Sequence, residues 1–253
     1  MSLQYDKIGG HYNSVKTLPL DLVQTATAVA HIGNISGLSV LDLACGSGYY
    51  ARKAVDLGAS RVVGLDISPA MIEAARREFS GTDADHHSRL EFHIADCCKP
   101  LPVTGDFDVV FAMWFLNYAS TAETQSAMWR NLFTHLKPGG RCIGIIPNFN
   151  RFKTPEGERE DDDDDGERFG SRMQVVQTVP GGVKYRCSLA VDPPVSFEGY
   201  LLSREIYEAC AQSAGFVSLR WLDPVDPGVP GLDFEAIPRY LLCQVFEARR
   251  ALE

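Results

Sequence analysis

Several things are scarce in this 253-residue chain, and each scarcity removes a class of function. No apolar run is long enough to cross a bilayer, and the N-terminus has neither the basic nor the apolar stretch of a secretory leader. A soluble protein of the cytoplasm is therefore expected. The seven cysteines are odd in number and show no C-x-x-C spacing; Cys97 and Cys98 are adjacent. Reduced, mostly buried thiols are expected, with neither a disulfide framework nor a metal site. Basic residues are outnumbered, 24 Lys and Arg against 33 Asp and Glu. Much of the net charge of −9 comes from residues 156–167, where nine acids and one base give a local charge of −8. The remainder sums to −1, so no basic face suits a phosphate backbone and nucleic acid is not expected as a partner. Residues 156–167 read as a solvated, mobile loop, because like charges repel. No internal repeat is evident.

Against these absences stands Val40-Leu41-Asp42-Leu43-Ala44-Cys45-Gly46-Ser47-Gly48-Tyr49-Tyr50-Ala51. An apolar strand runs into a Gly-rich turn and then into a helix from Tyr49, the layout of a nucleotide-cofactor site. Gly46-x-Gly48-x-x-Ala51 alone also fits a dinucleotide fingerprint. Asp42 argues otherwise: a carboxylate before the loop is poorly suited to pyrophosphate but suits a cationic amine. S-adenosylmethionine carries such an amine and no phosphate. Arg61 to Asp66 is a second apolar run ending in an acid, 18 residues after Gly48, placed to hold ribose hydroxyls. Ser68 and Pro69 start the next helix. Leu90 to Ala95 ends at Asp96-Cys97, where an acid can accept the adenine amino group. Phe107 to Trp114 and Arg141 to Pro147 are the fourth and fifth strands, the latter opened by Leu136-Lys137-Pro138-Gly139-Gly140.

This series, LDLACGSG, VVGLDIS, IADCC, FDVVFAMW and LKPGGR, resembles the motifs of class I S-adenosylmethionine-dependent methyltransferases over roughly residues 36–147. Weaker likeness in Tyr5 to Gly10, Trp114 to Tyr118, Ser203 to Glu205 and Ala214 to Phe216 is similar to small-molecule enzymes near toxoflavin N-methyltransferase and the ubiquinone-type enzymes. The resemblance implies an α/β, Rossmann-like fold: a seven-stranded, mostly parallel sheet flanked by helices, with a β-hairpin and loop cap over the substrate pocket. One domain is expected, with a lid at 1–36, a cofactor-binding core at 37–147, a cap insertion at 148–201 and a closing part at 202–253. Within these, the sequence predicts a hairpin of Met173 to Val179 and Val183 to Ala190 around Pro180-Gly181-Gly182. An extended piece is expected around Tyr200, a helix at Ser203 to Ala214, and strands at Phe216 to Leu222 and Tyr240 to Glu247.

The resemblance implies S-adenosylmethionine as cofactor, held by Tyr5, Tyr12, Asp42, Ala44, Cys45, Gly46, Gly48, Tyr50, Asp66, Ile67, Met71, Asp96, Cys97, Ala112, Met113 and Trp114. Trp114, Asn117, Tyr118, Asn148 and Tyr200 are the expected substrate contacts. Aromatic faces attract a sulfonium and stack on planar substrates. Methyl transfer needs alignment and water exclusion more than a strong base, so His11 is the one candidate catalytic group. The acceptor expected is a small planar metabolite methylated on nitrogen, in a monomer or homodimer. O-methylation of a phenol or quinone, an inactive cofactor-binding protein and an NAD-dependent oxidoreductase remain as alternatives.

Overall fold

The apolar runs of the sequence become the central strands of one sheet. The computed structural model describes residues 4–79, 88–103, 105–151, 169–235 and 241–253. The acidic run and most of its flanks lie outside them. Strands β1 (Ser39–Leu43), β2 (Arg61–Asp66), β3 (Leu90–Ile94), β4 (Phe107–Met113) and β5 (Leu136–Pro147) pair in parallel in the order β3-β2-β1-β4-β5. The chain then adds β6 (Ser171–Val179), β7 (Gly182–Leu189) and β8 (Val195–Leu202) as a separate antiparallel sheet. Finally β10 (Cys243–Arg249) runs antiparallel between β5 and β9 (Ser218–Leu222), completing seven strands.

Both faces of the sheet are covered, which is why β1, β2 and β4 read as nearly continuous apolar runs rather than alternating ones. Val40 and Val62 pack with helices α3 (Tyr49–Asp56) and α4 (Pro69–Phe79), through Ala51, Ala54, Ile72 and Ala75. Leu41 and Phe246 face the other way, toward Trp129 and Tyr207 of α5 (Ala122–Thr134) and α6 (Arg204–Ala214). Local signals set the helix ends. Thr121 accepts a bond from the Thr124 amide at 3.2 Å, Ser203 caps α6, and Gly215 ends it at φ +112°. Glu247, buried in β10, receives Arg220 at 2.7 Å and Arg249 at 2.9 Å. Burial opposes its ionisation, but those guanidiniums outweigh it and hold the carboxyl below the usual range.

The seven-stranded Rossmann-like sheet is as expected, with three differences in detail. The cap is a three-stranded sheet, because β8 pairs with β7 along its whole length instead of lying as an isolated extended piece. Leu136 to Gly140 already belongs to β5, since Leu136 pairs with Phe107 before the register shift of β4. The last strand starts at Cys243; residues 236–240 lie outside the described residues. The N-terminal stretch folds as α1 (Gln4–Ile8), a 3-10 turn over Gly9–Thr17, and α2 (Pro19–Ile32), with Pro19 in the first helical turn where its missing N–H costs nothing.

Candidate functional site

The sheet order reverses direction at β1, which has β2 on one side and β4 on the other. Ligands of open α/β sheets bind at such a point, outside the carboxyl ends of the strands. A cleft of about 870 Å³ opens there. Its floor is the loop after β1. Gly46 and Gly48 have φ of +54° and +77°, and a Cβ on Gly48 would lie 2.6 Å from the Phe92 ring. Only glycine fits there, so the loop backbone lies flat on β2 and β3 and leaves room above it. Two non-glycine residues lining the cleft, Ala44 and Trp114, also have positive φ, 56° and 63°. Strain of this kind persists only where surrounding packing holds it.

Two carboxylates face this floor. Asp66 is buried; its Oδ2 accepts the Gly46 amide at 2.9 Å and its Oδ1 the Ser68 amide at 2.8 Å. Burial raises its pKa, and those two amide bonds pull it back only in part. Each oxygen keeps a second lone pair for a ribose hydroxyl. Asp42 is 1% exposed and neither oxygen has a hydrogen-bond partner. Desolvation first and the neighbouring Asp66 charge second push its pKa well up; the Ala51 amide, which lies outside hydrogen-bond geometry, offsets this only in part. A buried carboxylate without a partner is a costly arrangement in an empty protein. It fits a cationic ligand group such as the ammonium or sulfonium of S-adenosylmethionine.

The sequence reading overlooked Lys16. Its Nζ lies 3.1 Å from Asp21 Oδ1 and 5.0, 5.4 and 5.8 Å from the ring centres of Tyr49, Tyr50 and Tyr12. Desolvation opposes its charge, but Asp21 and the tyrosine oxygens outweigh that and raise its pKa. Lys16 and Asp42 line the same cleft. One cation and one anion together complement a zwitterionic amino-acid group, such as the methionyl end of S-adenosylmethionine. A lone lysine five residues before an aspartate, inside a tyrosine-bearing stretch, was the available signal.

An aromatic roof closes the cleft. Tyr5 meets Tyr12, Tyr118 and Phe197 with ring centres 5.8, 6.0 and 5.7 Å apart, and the Tyr5 and Tyr118 hydroxyls hydrogen-bond. Burial raises the pKa of both Tyr5 and Tyr12. Both phenols therefore stay neutral. Gln4 fastens this segment to the cap, donating to the Glu198 carbonyl at 3.1 Å and accepting its amide at 3.0 Å.

Of the expected cofactor contacts, Tyr5, Tyr12, Asp42, Ala44, Cys45, Gly46, Tyr50, Asp66, Ile67, Met71, Cys97, Met113 and Trp114 line the cleft, as does the expected substrate contact Tyr118. The others stand apart from that lining. Gly48 shapes the loop from behind, and Ala112 is fully buried in β4. Asp96 accepts the Cys98 amide at 3.0 Å and pairs with Lys99 at 3.5 Å. Asn117 is buried, donating to the Tyr185 hydroxyl at 3.1 Å. Asn148 donates to the Leu241 carbonyl at 3.1 Å beside a different cavity, and Tyr200 sits opposite Lys184 in the cap sheet. His11, expected as a base, is half-buried with Nε2 2.8 Å from the Pro193 carbonyl. It ties the N-terminal segment to the cap and does not line the cleft. Among the described residues no three His, Cys, Asp or Glu side chains gather into a metal site.

Comparison with known proteins agrees with this geometry. Residues 40–140 match the family described as "Methyltransferase domain". The chain is 31% identical over 178 residues to mRNA cap guanine-N(7) methyltransferase 1 of Arabidopsis thaliana, covering 62% of this chain and 48% of that protein. It thus spans less than half the length of that relative. A crystal structure of an S-adenosylmethionine dependent methyltransferase from Mesorhizobium loti superposes with TM-score 0.61 at 20% identity, covering 90% of this chain and 98% of that one. The glycopeptide N-methyltransferase MtfA complexed with S-adenosylmethionine gives TM-score 0.62 at 18% identity, covering 90% and 93%.

Proposed function

We propose, from the match of residues 40–140 to the family described as "Methyltransferase domain", that this chain is a class I S-adenosylmethionine-dependent methyltransferase that transfers a methyl group to a nitrogen of a small, planar acceptor. The carrying observation is the opposed pair at the cleft. Asp42, without a partner, and Lys16 frame an amino-acid zwitterion, and a tyrosine roof stands over the position of the sulfonium.

S-adenosylmethionine supplies the electrophilic methyl. The residues contribute placement. Asp66 orients the ribose, Asp42 and Lys16 fix the methionyl end, and the roof keeps water away so that nucleophile and methyl meet in line. A neutral nitrogen needs no strong base, which suits a cleft whose phenols are held neutral by burial and from which His11 stands apart.

The small-molecule reading rests on the cap sheet and the N-terminal segment, which Gln4 and Glu198 join beside the cleft. O-methylation of a phenol or quinone is the second reading, because the same roof stacks on either ring. The toxoflavin and ubiquinone-type enzymes remain the proposed neighbourhood. The curated relatives include enzymes named for mRNA caps and for ribosomal protein L11, so those acceptors belong in the test. All seven cysteines are unpaired, which suits a reducing cytoplasm.

The chain incubated with tritiated S-adenosylmethionine, and separately with metabolite extract, capped RNA and ribosomal protein, should label only the small-molecule fraction. Label confined to RNA or protein overturns the acceptor assignment. Calorimetry in which NAD binds more tightly than S-adenosylhomocysteine overturns the cofactor assignment.

A further inference from the structure

Beside the cofactor cleft lies a second, smaller and partly open chamber. Tyr12 and Trp114 line both spaces, so the two share a wall. Helix α2 lines one side of the chamber with Asp21 and Gln24, and the cap sheet lines the other with Cys187 and Phe197. Apart from Tyr12 and Trp114, no residue of the cofactor assignment lines this space.

Its charge is one-sided. Both hydrogen bonds of Asp21, from Lys16 at 3.1 Å and Gln24 at 3.5 Å, go to Oδ1. Lys16 lines the cleft and Asp21 lines the chamber. The ion pair therefore crosses the shared wall, with its cation toward the cofactor and its anion toward the second space. No lysine, arginine or histidine lines the chamber among the described residues. A carboxylate at the edge of a mostly apolar space accepts an N–H or O–H and disfavours another anion.

We propose that this chamber is the acceptor subsite and that Asp21 determines specificity, selecting a neutral planar molecule by accepting a hydrogen bond from its N–H or O–H. This rests on the methyltransferase reading above and names its substrate class. Tyr12 and Trp114, common to both spaces, mark where nucleophile and methyl meet. There the nitrogen lone pair forms the C–N bond and the C–S bond breaks with its electron pair left on sulfur. The sulfonium charge passes to nitrogen, and the methylated nitrogen sheds its proton to water.

The test uses the full chain saturated with S-adenosylhomocysteine and three probes followed by calorimetry and ligand-observed NMR. These are indole as donor, benzothiophene as the same shape without one, and indole-3-carboxylate as an anion. Indole should bind about tenfold more tightly than the carboxylate and measurably more tightly than benzothiophene. Asp21→Asn should erase the preference for indole over benzothiophene. Cys187→Phe, which fills the chamber from the cap, should abolish indole binding while leaving S-adenosylhomocysteine affinity within about twofold, because no contact with the cofactor cleft is removed. If Cys187→Phe does not hold S-adenosylhomocysteine, Met173→Phe fills the same chamber from the neighbouring strand. Indole that competes with S-adenosylhomocysteine, fails to bind the loaded wild type, or binds the filled variant unchanged overturns the subsite. Failure of S-adenosylhomocysteine itself to bind the wild type overturns the underlying methyltransferase reading instead.

Discussion

At the scale of single residues, Asp42 couples function to stability. Its carboxyl has a raised pKa in the folded state. Between its unfolded and folded values the native protein holds a proton that the unfolded chain has released, so native stability falls as pH rises through that window. Asp42→Asn removes the penalty. The cofactor-free variant should melt higher at neutral pH by roughly 2–12 °C, corresponding to about 1–3 kcal/mol. Its melting temperature should also lose the downward slope above the ordinary carboxylate range. The same change should weaken S-adenosylmethionine by about tenfold or more, since one charge-assisted contact is lost. Thermal melts across pH with parallel calorimetry check both; a variant that melts lower at neutral pH contradicts the account.

Lys16 makes the complementary case. Lys16→Met leaves Asp21 without its cation in a nearly dry site, which should lower stability by about 3–5 kcal/mol. It should also weaken S-adenosylhomocysteine by about tenfold. Lys16→Arg keeps the charge and should retain most of the affinity, as isothermal titration of the two variants would show.

At the scale of elements, the N-terminal segment, expected from the sequence as a lid, is tied down at several points. The structure docks it: Gln4 on Glu198, His11 on Pro193, and the Asn13 side chain 2.5 Å from the Ser47 hydroxyl. Apolar periodicity does not mark this stretch, because it is held by side-chain hydrogen bonds and ring contacts rather than by an amphipathic face. Removing residues 1–12 should therefore lower both melting temperature and turnover. Tryptic cleavage after Lys16, whose side chain is 10% exposed, should be slow and slower still with S-adenosylhomocysteine. A rate indifferent to ligand would mean that opening this segment is independent of the cleft.

At the scale of the whole molecule, what could be read from sequence follows from where the energetics are local. The parallel strands and the glycine loop were legible because a doubly covered sheet demands apolar runs and a close backbone approach demands Gly48. The chambers were not, because they lie between α2, the strand ends and the cap, which are far apart in sequence. Asn148 and Tyr200 stand outside the cleft lining for the same reason: which cavity a side chain reaches is set by contacts distant in sequence. Binding at the shared cleft should act on the entire fold. At about a hundredfold excess over its dissociation constant, S-adenosylhomocysteine should add about 2.7 kcal/mol. That is roughly 5–11 °C in melting temperature for a chain of this size, read by differential scanning calorimetry, whereas NAD at the same concentration should leave the melt unmoved.

The bonds between Gln4 and Glu198 also bear on the order in which the molecule assembles. They join residues 194 positions apart, and the entropy of closing so long a loop is recovered only after the intervening sheet exists. The glycine loop and Asp66, by contrast, are joined across 20 positions. A refolding chain should thus complete a surface able to receive the adenosine half of the cofactor before it acquires a ceiling. Pulse-labelled hydrogen exchange should find the Gly46 amide protected earlier than the Glu198 amide. The ligand would then be available to template the closure of the protein around it.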